Sequence, residues 1–331
     1  LERQFLFLYL SVIPIGPPVV IITGASYFAS AIGMEDYGFL ISIVSIFLMF
    51  IINVLGMEVS SKIQGALSVV CLIIFLGIIV VGIINLDKAD PVNISSLKLS
   101  DYSLSSVFSA LAMTFWCFVG IEAVSHLAGE FKDVKRDFPR TIIFSVIIVG
   151  FLYLSVGIIV FLFNAYGNSS INDNSLVYLL SIFYGGIGKF VIGILGFITC
   201  ILASNLYILS SSRLLMALNK GNKFSKVIKG NVPIYSLIVS FLAVLVTVTL
   251  RFKFKIDLSE LINYANGVFI LIYLFVMLAG IKLLSGVKKV LSIISFFLCF
   301  IILFSIGKHA IYGIAVFGFI LAGIVLHRKF K

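Results

Sequence analysis

The sequence predicts an all-α polytopic membrane protein with about ten transmembrane helices. Three observations predict it. Hydrophobic residues make up 61% of the chain and charged residues only 11%, whereas soluble domains carry about 25% charged residues. The mean hydropathy is +1.21. The apolar residues also fall in runs of about 20, the length needed to cross a hydrocarbon core, with short polar segments between them.

In chain order the expected spans are residues 4–33, 37–56, 63–85, 105–128, 141–165, 185–213, 234–250, 258–283, 289–306 and 309–327. The longest connections, Leu86 to Leu104, Asn164 to Tyr184 and Asn219 to Pro233, carry the Asp, Asn, Ser, Pro, Gly and Lys expected of loops. Almost nothing remains for a soluble domain, so residues 1–331 read as one transmembrane domain.

The first span offers only Tyr9 and Ser11 as polar side chains between Leu8 and Ile22, while Pro14, Gly16, Pro17 and Pro18 disturb its hydrogen-bond ladder. A kinked apolar wall suits a solute with an apolar side chain, although packing alone also produces kinks. The chain opens on Leu1, Glu2 and Arg3, which does not fit a secretory signal. The expectation is a fragment that has lost its true N-terminus.

The fourth span and the loop after it carry the most informative segment, Met113 to Arg140. Glu122 sits within the hydrophobic run, two residues after Gly120 and four before His126. An ionisable group inside a membrane span marks a functional site by default, and a glycine beside it is where a spanning helix can unwind to line a cavity. Residues four apart share a helix face, so Glu122, His126 and Glu130 can form a line toward one surface. A proton-sensitive gate or relay fits this pattern, and so does a carboxylate that only hydrogen-bonds a neighbouring broken helix. Trp116, the single tryptophan, lies inside the span rather than in the interfacial belt; a large ring there either closes over a solute or packs between helices.

In the sixth span, Ser204, Asn205 and the run Ser210 to Arg213 place polar groups where they line a cavity or join neighbouring helices. The run Gly185-Gly186-Ile187-Gly188-Lys189 is followed by Phe190, so the hydroxyl residue that completes a phosphate loop is absent. Cys71, Cys117, Cys200 and Cys299 all lie in apolar segments without CxxC spacing and read as small packing residues. The three histidines are far apart. No metal site, cofactor motif, catalytic triad or carboxylate pair is present in the pattern, which argues against an enzyme.

The net charge of +10 reads as topology rather than as a nucleic-acid surface, because most Lys and Arg cluster in loops on one side. Basic loops resist translocation, which places both termini in the cytoplasm. Lys88, Lys98, Lys189, Arg251, Lys253, Lys255 and Lys308 fall on the other side, and the cluster Arg251 to Lys255 is the one local contradiction.

At Phe115-Trp116-Cys117-Phe118-Val119-Gly120-Ile121-Glu122, followed by Glu130-Phe131-Lys132 and Arg136-Asp137-Phe138-Pro139-Arg140, the chain resembles the amino acid, polyamine and organocation transporter superfamily. Ser204-Asn205-Leu206 through Ser212-Arg213 is similar to that superfamily's eighth helix. Leu10-Ser11-Val12-Ile13-Pro14, the block from Met113 to Arg140, and Tyr264-Ala265-Asn266-Gly267 through Leu278-Ala279-Gly280 narrow the resemblance to the bacterial exporters of L-methionine and branched-chain amino acids.

The resemblance implies an inverted-repeat, LeuT-like fold of five helices per repeat plus two more, with substrate held between the unwound middles of helices one and six. This chain then enters at helix three, without helices one and two. Residues 1–103 are the remainder of the first repeat, 104–284 the second repeat and 285–331 two accessory helices. The implied function is alternating-access export of methionine, leucine, isoleucine or valine across the bacterial cytoplasmic membrane by proton antiport. Trp116 gates, Cys117, Phe118, Val119 and Gly120 supply unwound backbone, Asn205 supports the pocket, and Glu122 with His126 responds to protons. The partners are thus an amino-acid substrate, the lipid bilayer and protons. An importer or exchanger of another amino acid or a polyamine shares these features, as does a transport-inactive fragment.

Overall fold

A computed structural model describes residues 2–55, 61–89, 103–120, 131–167, 169–219, 227 and 233–329. Every regular element among them is helical: α1 (Glu2–Leu10), α2 (Gly16–Ile32), α3 (Gly38–Val54), α4 (Ser61–Ile84), α5 (Leu104–Phe115), α6 (Asp137–Leu162), α7 (Ser169–Asn172), α8 (Ser175–Leu218), α9 (Ile234–Phe254), α10 (Leu258–Leu283), α11 (Gly286–Ser305) and α12 (Ala310–Lys329). Seven helices among the described residues are long and apolar enough to cross a membrane, and shorter apolar helices lie at Gly16–Ile32, Leu104–Phe118 and Gly307–Ala322. The chain is an all-α polytopic membrane protein.

Burial runs inside out relative to a soluble protein. Phe151, Leu154, Val287 and Phe304 are largely exposed, while Ser42, Ser45, Asn53, Ser212, Ser236, Ser240 and Asn266 are buried. Lipid is as apolar as leucine, so helix association draws on close packing and interhelical polar contacts instead of on apolar burial. Two contacts show this: Ser212 Oγ donates to Ser240 Oγ at 3.0 Å between α8 and α9, and Asn53 Nδ2 donates to Asn205 Oδ1 between α3 and α8.

The central helix is α2, whose Val19, Ile21 and Ile22 pack with Ile46 and Met49 of α3, Ile208 of α8, Leu237 and Phe241 of α9 and Leu261 of α10. Its most extensive partner is α8. A side chain at Gly24 would press on Cys200 Cβ, and one at Gly193 on Ala31. Without these glycines the two backbones could not approach so closely.

The expected first span is present but divided. Residues 11–15 form turns between α1 and α2, because Pro14 has no N–H to give and Ile15 N–H bonds Val12 O at 2.9 Å. Pro17 and Pro18 then occupy the first turn of α2, where no N–H is required. The Ser11 carbonyl is taken up by Tyr312 Oη of α12 at 3.1 Å.

The connection from Asn164 to Tyr184 departs from the expected loop. It is helical at Ser169–Asn172 and again from Ser175 up to a break at Gly185 (φ 60°, ψ −143°). The physical reason is burial: Val177, Leu179 and Leu180 join Ile78, Ile159 and Phe163 in one apolar cluster.

The Arg251 to Lys255 cluster acquires a local explanation. Arg251 lies 3.6 Å from Asp173 and over the Phe252 ring at 4.8 Å, and Lys255 closes α9 in the left-handed conformation. Burial pushes the Asp173 carboxyl up, Arg251 offsets this only in part, and Asp257 adds to the rise. At the same end, Lys189 pairs with Glu35 at 3.1 Å and Lys308 with Glu260 at 3.5 Å. These basic residues have structural work at this end, so their presence there is weak information about topology.

Candidate functional site

The site is built around the end of α5. Ser103 caps its start by accepting from Ser106 N–H at 3.1 Å. After only 12 residues the helix tightens into a 3-10 turn over Trp116–Phe118. Val119 is then extended (φ −67°, ψ 139°) and Gly120 lies at φ 111°, a conformation open to glycine and strained for other residues. Regular helix thus ends just before Gly120, the glycine at which the sequence allows a spanning helix to unwind. Glu122, His126 and Glu130 lie outside the described residues.

The C-terminal N–H groups of α5 bond Met113 and Thr114. The Ala112 carbonyl accepts instead from Asn266 Nδ2 of α10 at 2.7 Å. Ala112 and Asn266 are both buried, so this bond is made where water could not replace it.

Beside the break is a cavity of about 410 Å³, within the range of small-molecule sites. Trp116, Cys117, Val119 and Gly120 line one side, and Val12, Gly16, Pro17 and Val20 of the first span line another. Tyr153 of α6, Ala203, Ser204 and Tyr207 of α8, and Phe269 of α10 complete it. The Trp116 ring lies over Gly16, whose Cβ, if it had one, would be 3.7 Å from the ring and 3.0 Å from Val12 Cγ1. Tyr9 packs against Tyr207 (5.6 Å between centroids) and edge-on to Phe269 (6.3 Å), giving the α1 side an aromatic wall.

No charged side chain occurs among the described lining residues. The polar atoms there are hydroxyls, a thiol and backbone. Ser204, on α8, is one of them. Thr199 and Ser212 on the same helix donate to the carbonyls four residues back, at 2.8 and 2.7 Å, the common arrangement for helical hydroxyls. Ser204 Oγ is buried and has no hydrogen-bond partner among the described residues.

Two expected residues lie elsewhere. Phe118 points to α6, with its ring 5.8 Å from that of Tyr153, and lines a separate hollow with Gly150, Gly157 and Phe161. Asn205 is engaged with Asn53 and does not line the cavity. Beside Tyr207, the polar residue that α8 presents there is Ser204, one position before Asn205 and about 100° around the helix. Asn266, quoted above only for resemblance, gave no separate signal in the sequence; an Asn in an apolar span is compatible with many partners.

Residues 5–327 match the amino acid permease family. The L-methionine/branched-chain amino acid exporter YjeH of Escherichia coli K12 is 31% identical over 318 residues, covering 95% of this chain and 75% of that protein. The uncharacterized amino acid permease YecA of Bacillus subtilis is 24% identical over 294 residues, covering 84% of this chain and 66% of that protein. The branched-chain amino acid permease BcaP of Bacillus subtilis is 45% identical over 53 residues, which are 16% of this chain and 11% of that protein.

Proposed function

This chain belongs to the amino acid permease family, and from that premise we propose that it exports methionine, leucine, isoleucine or valine across the cytoplasmic membrane by alternating access with proton antiport. The observation that carries the reading is the cavity beside the α5 break. Its walls are Val12, Pro17, Val20, Trp116, Val119 and Phe269, and its described lining holds no charged side chain. An apolar amino-acid side chain is accommodated by such walls, whereas a cationic one or a polyamine finds no counter-charge among the described lining residues. The 31% identity to an exporter of methionine and branched-chain amino acids supports the same substrate class and direction.

In this reading the zwitterionic end of the substrate sits at the unwound segment Cys117 to Gly120, where backbone dipoles can bind charge in place of ionised side chains. Trp116 moves with its helix to cover or uncover the cavity. Ser204 offers a hydroxyl to the substrate. Asn205 supports the pocket indirectly, by tying α8 to α3 through Asn53. Glu122, with His126, takes the coupling proton, a role assigned from its position in the span. Residues 1–103 and 104–284 belong to the two repeats and 285–331 to the accessory helices, with both termini cytoplasmic.

The test is efflux from vesicles that contain the purified chain and are preloaded with labelled methionine or leucine. Saturable efflux that quickens when the vesicle exterior is made acidic is the expected outcome. Absence of efflux for methionine, leucine, isoleucine and valine, with or without a pH gradient, would overturn the substrate assignment. Glu122→Gln is expected to retain efflux and lose its pH dependence; an unchanged dependence removes Glu122 from the relay.

A further inference from the structure

The α5 break has a backbone donor-acceptor problem. Unwinding a helix in a membrane leaves carbonyls with no water to bond, and each must find a partner in the protein. At the end of α5 the Ala112 carbonyl is not used by the cap, whose N–H groups go to Met113 and Thr114. Its partner is the Asn266 amide, 154 positions away in sequence and 2.7 Å away in space.

The part of α10 that holds this amide is deeply enclosed. Residues 265 to 270 form the longest uninterrupted buried run among the described residues. Behind them, α12 approaches backbone to backbone: a Cβ at Gly313 would lie 2.9 Å from Gly267 O, and one at Gly267 would lie 3.2 Å from His309 O. The amide therefore projects from a rigid support. Three residues further along the same helix, Phe269 forms part of the cavity wall.

We infer that Asn266 is a positioning residue of the candidate site, holding the last turn of α5 so that Trp116, Cys117, Val119 and Gly120 stand at the cavity. It acts through the backbone of Ala112 and is not itself among the lining residues. The inference rests on the reading that this cavity receives the amino acid. Two consequences follow. Loss of the amide displaces a backbone surface common to all substrates, so it weakens every substrate by a similar factor and leaves their ranking unchanged. It also loosens the segment in the absence of substrate, next to the exposed thiol of Cys117.

The experiment uses the full chain with Cys71, Cys200 and Cys299 replaced by Ala, and compares Asn266 with Asn266→Leu, which matches its size without an amide, and Asn266→Gln, which keeps the amide one methylene further out. Alkylation of Cys117 by a maleimide is measured without substrate, and KM for methionine, leucine and valine is measured in vesicles. Asn266→Leu is expected to speed alkylation several-fold and raise all three KM values about tenfold together, with Asn266→Gln between it and the parent. Folded variants with parental alkylation rates overturn the inference, as does a changed ranking among substrates, which would make Asn266 a side-chain contact. Failure of both variants to fold also overturns it, because the residue would then serve folding alone. If the parent protein moves none of the three substrates, the transport reading fails, while the alkylation rates still decide whether Asn266 holds the segment.

Discussion

Two helices lose their regular geometry beside the same cavity, and they lose it differently. Between α1 and α2 the break is made by proline. Pro14 withholds a donor, the turn over residues 11–15 is largely buried, and Tyr312 takes the Ser11 carbonyl. At the end of α5 the break is made by glycine. Gly120 reverses the sign of φ, Cys117 is exposed, and Trp116, Cys117, Val119 and Gly120 line the cavity while Phe118 turns away toward α6. Both breaks have one displaced carbonyl bonded by a side chain from the C-terminal helices. The comparison teaches that a missing donor bends a helix while leaving its backbone covered, whereas a positive φ turns the backbone outward. The first break makes a wall; the second has the form of a binding surface.

The sharpest way to break this comparison is to remove the positive φ. Gly120→Val forces a β-branched residue into a conformation that costs on the order of 1–3 kcal/mol. Vesicle efflux per folded protein is expected to fall by about tenfold or more, with little change in the amount of folded protein, and near-parental efflux would mean the unwound segment is not the working surface. Gly16→Ala tests the wall. Its Cβ would enter the contact between Val12 and the Trp116 ring, and a methyl-sized change in an apolar pocket is worth about 1–3 kcal/mol of discrimination. Competition assays are expected to show preference shifting several-fold from methionine toward valine, while an unchanged ranking would place the substrate side chain elsewhere. Tyr312→Phe gives the smallest effect. It removes one hydrogen bond at the proline-made break, costing about 1 kcal/mol, so the thermal midpoint should drop by a few degrees with ranking unchanged. A large loss of transport in that variant would show that the two breaks are coupled and that the distinction between wall and binding surface is too simple.

Several parts of this arrangement are legible in the residues themselves. Pro14, Pro17 and Pro18 announce the first interruption, because a proline lacks a backbone donor wherever it is placed. Gly120 announces the second, and the apolar runs announce the spans. The helical stretch from Ser175 to Tyr184 was hidden because it follows the Asn, Gly, Ser and Asp of residues 164–174 in one loop-like connection, and its packing against Ile78, Ile159 and Phe163 is visible only in the fold. The choice between Ser204 and Asn205 was hidden for a different reason. Both are polar residues in one span, and a rotation of about 100° decides which one meets the cavity.

The sequence by itself determined the class of protein, the approximate position of each span and the places where two helices must break. These are properties that each residue carries with it: hydropathy, a missing donor, a tolerance for positive φ. The tertiary structure decided which face of each span turns inward, how Phe118 and Asn205 come to lie away from the cavity, and how Asn266 reaches Ala112 across 154 positions. In water, a helix advertises its inner face through an apolar stripe. In a bilayer both faces are apolar, so the stripe fades and the facing is settled only when the helices pack.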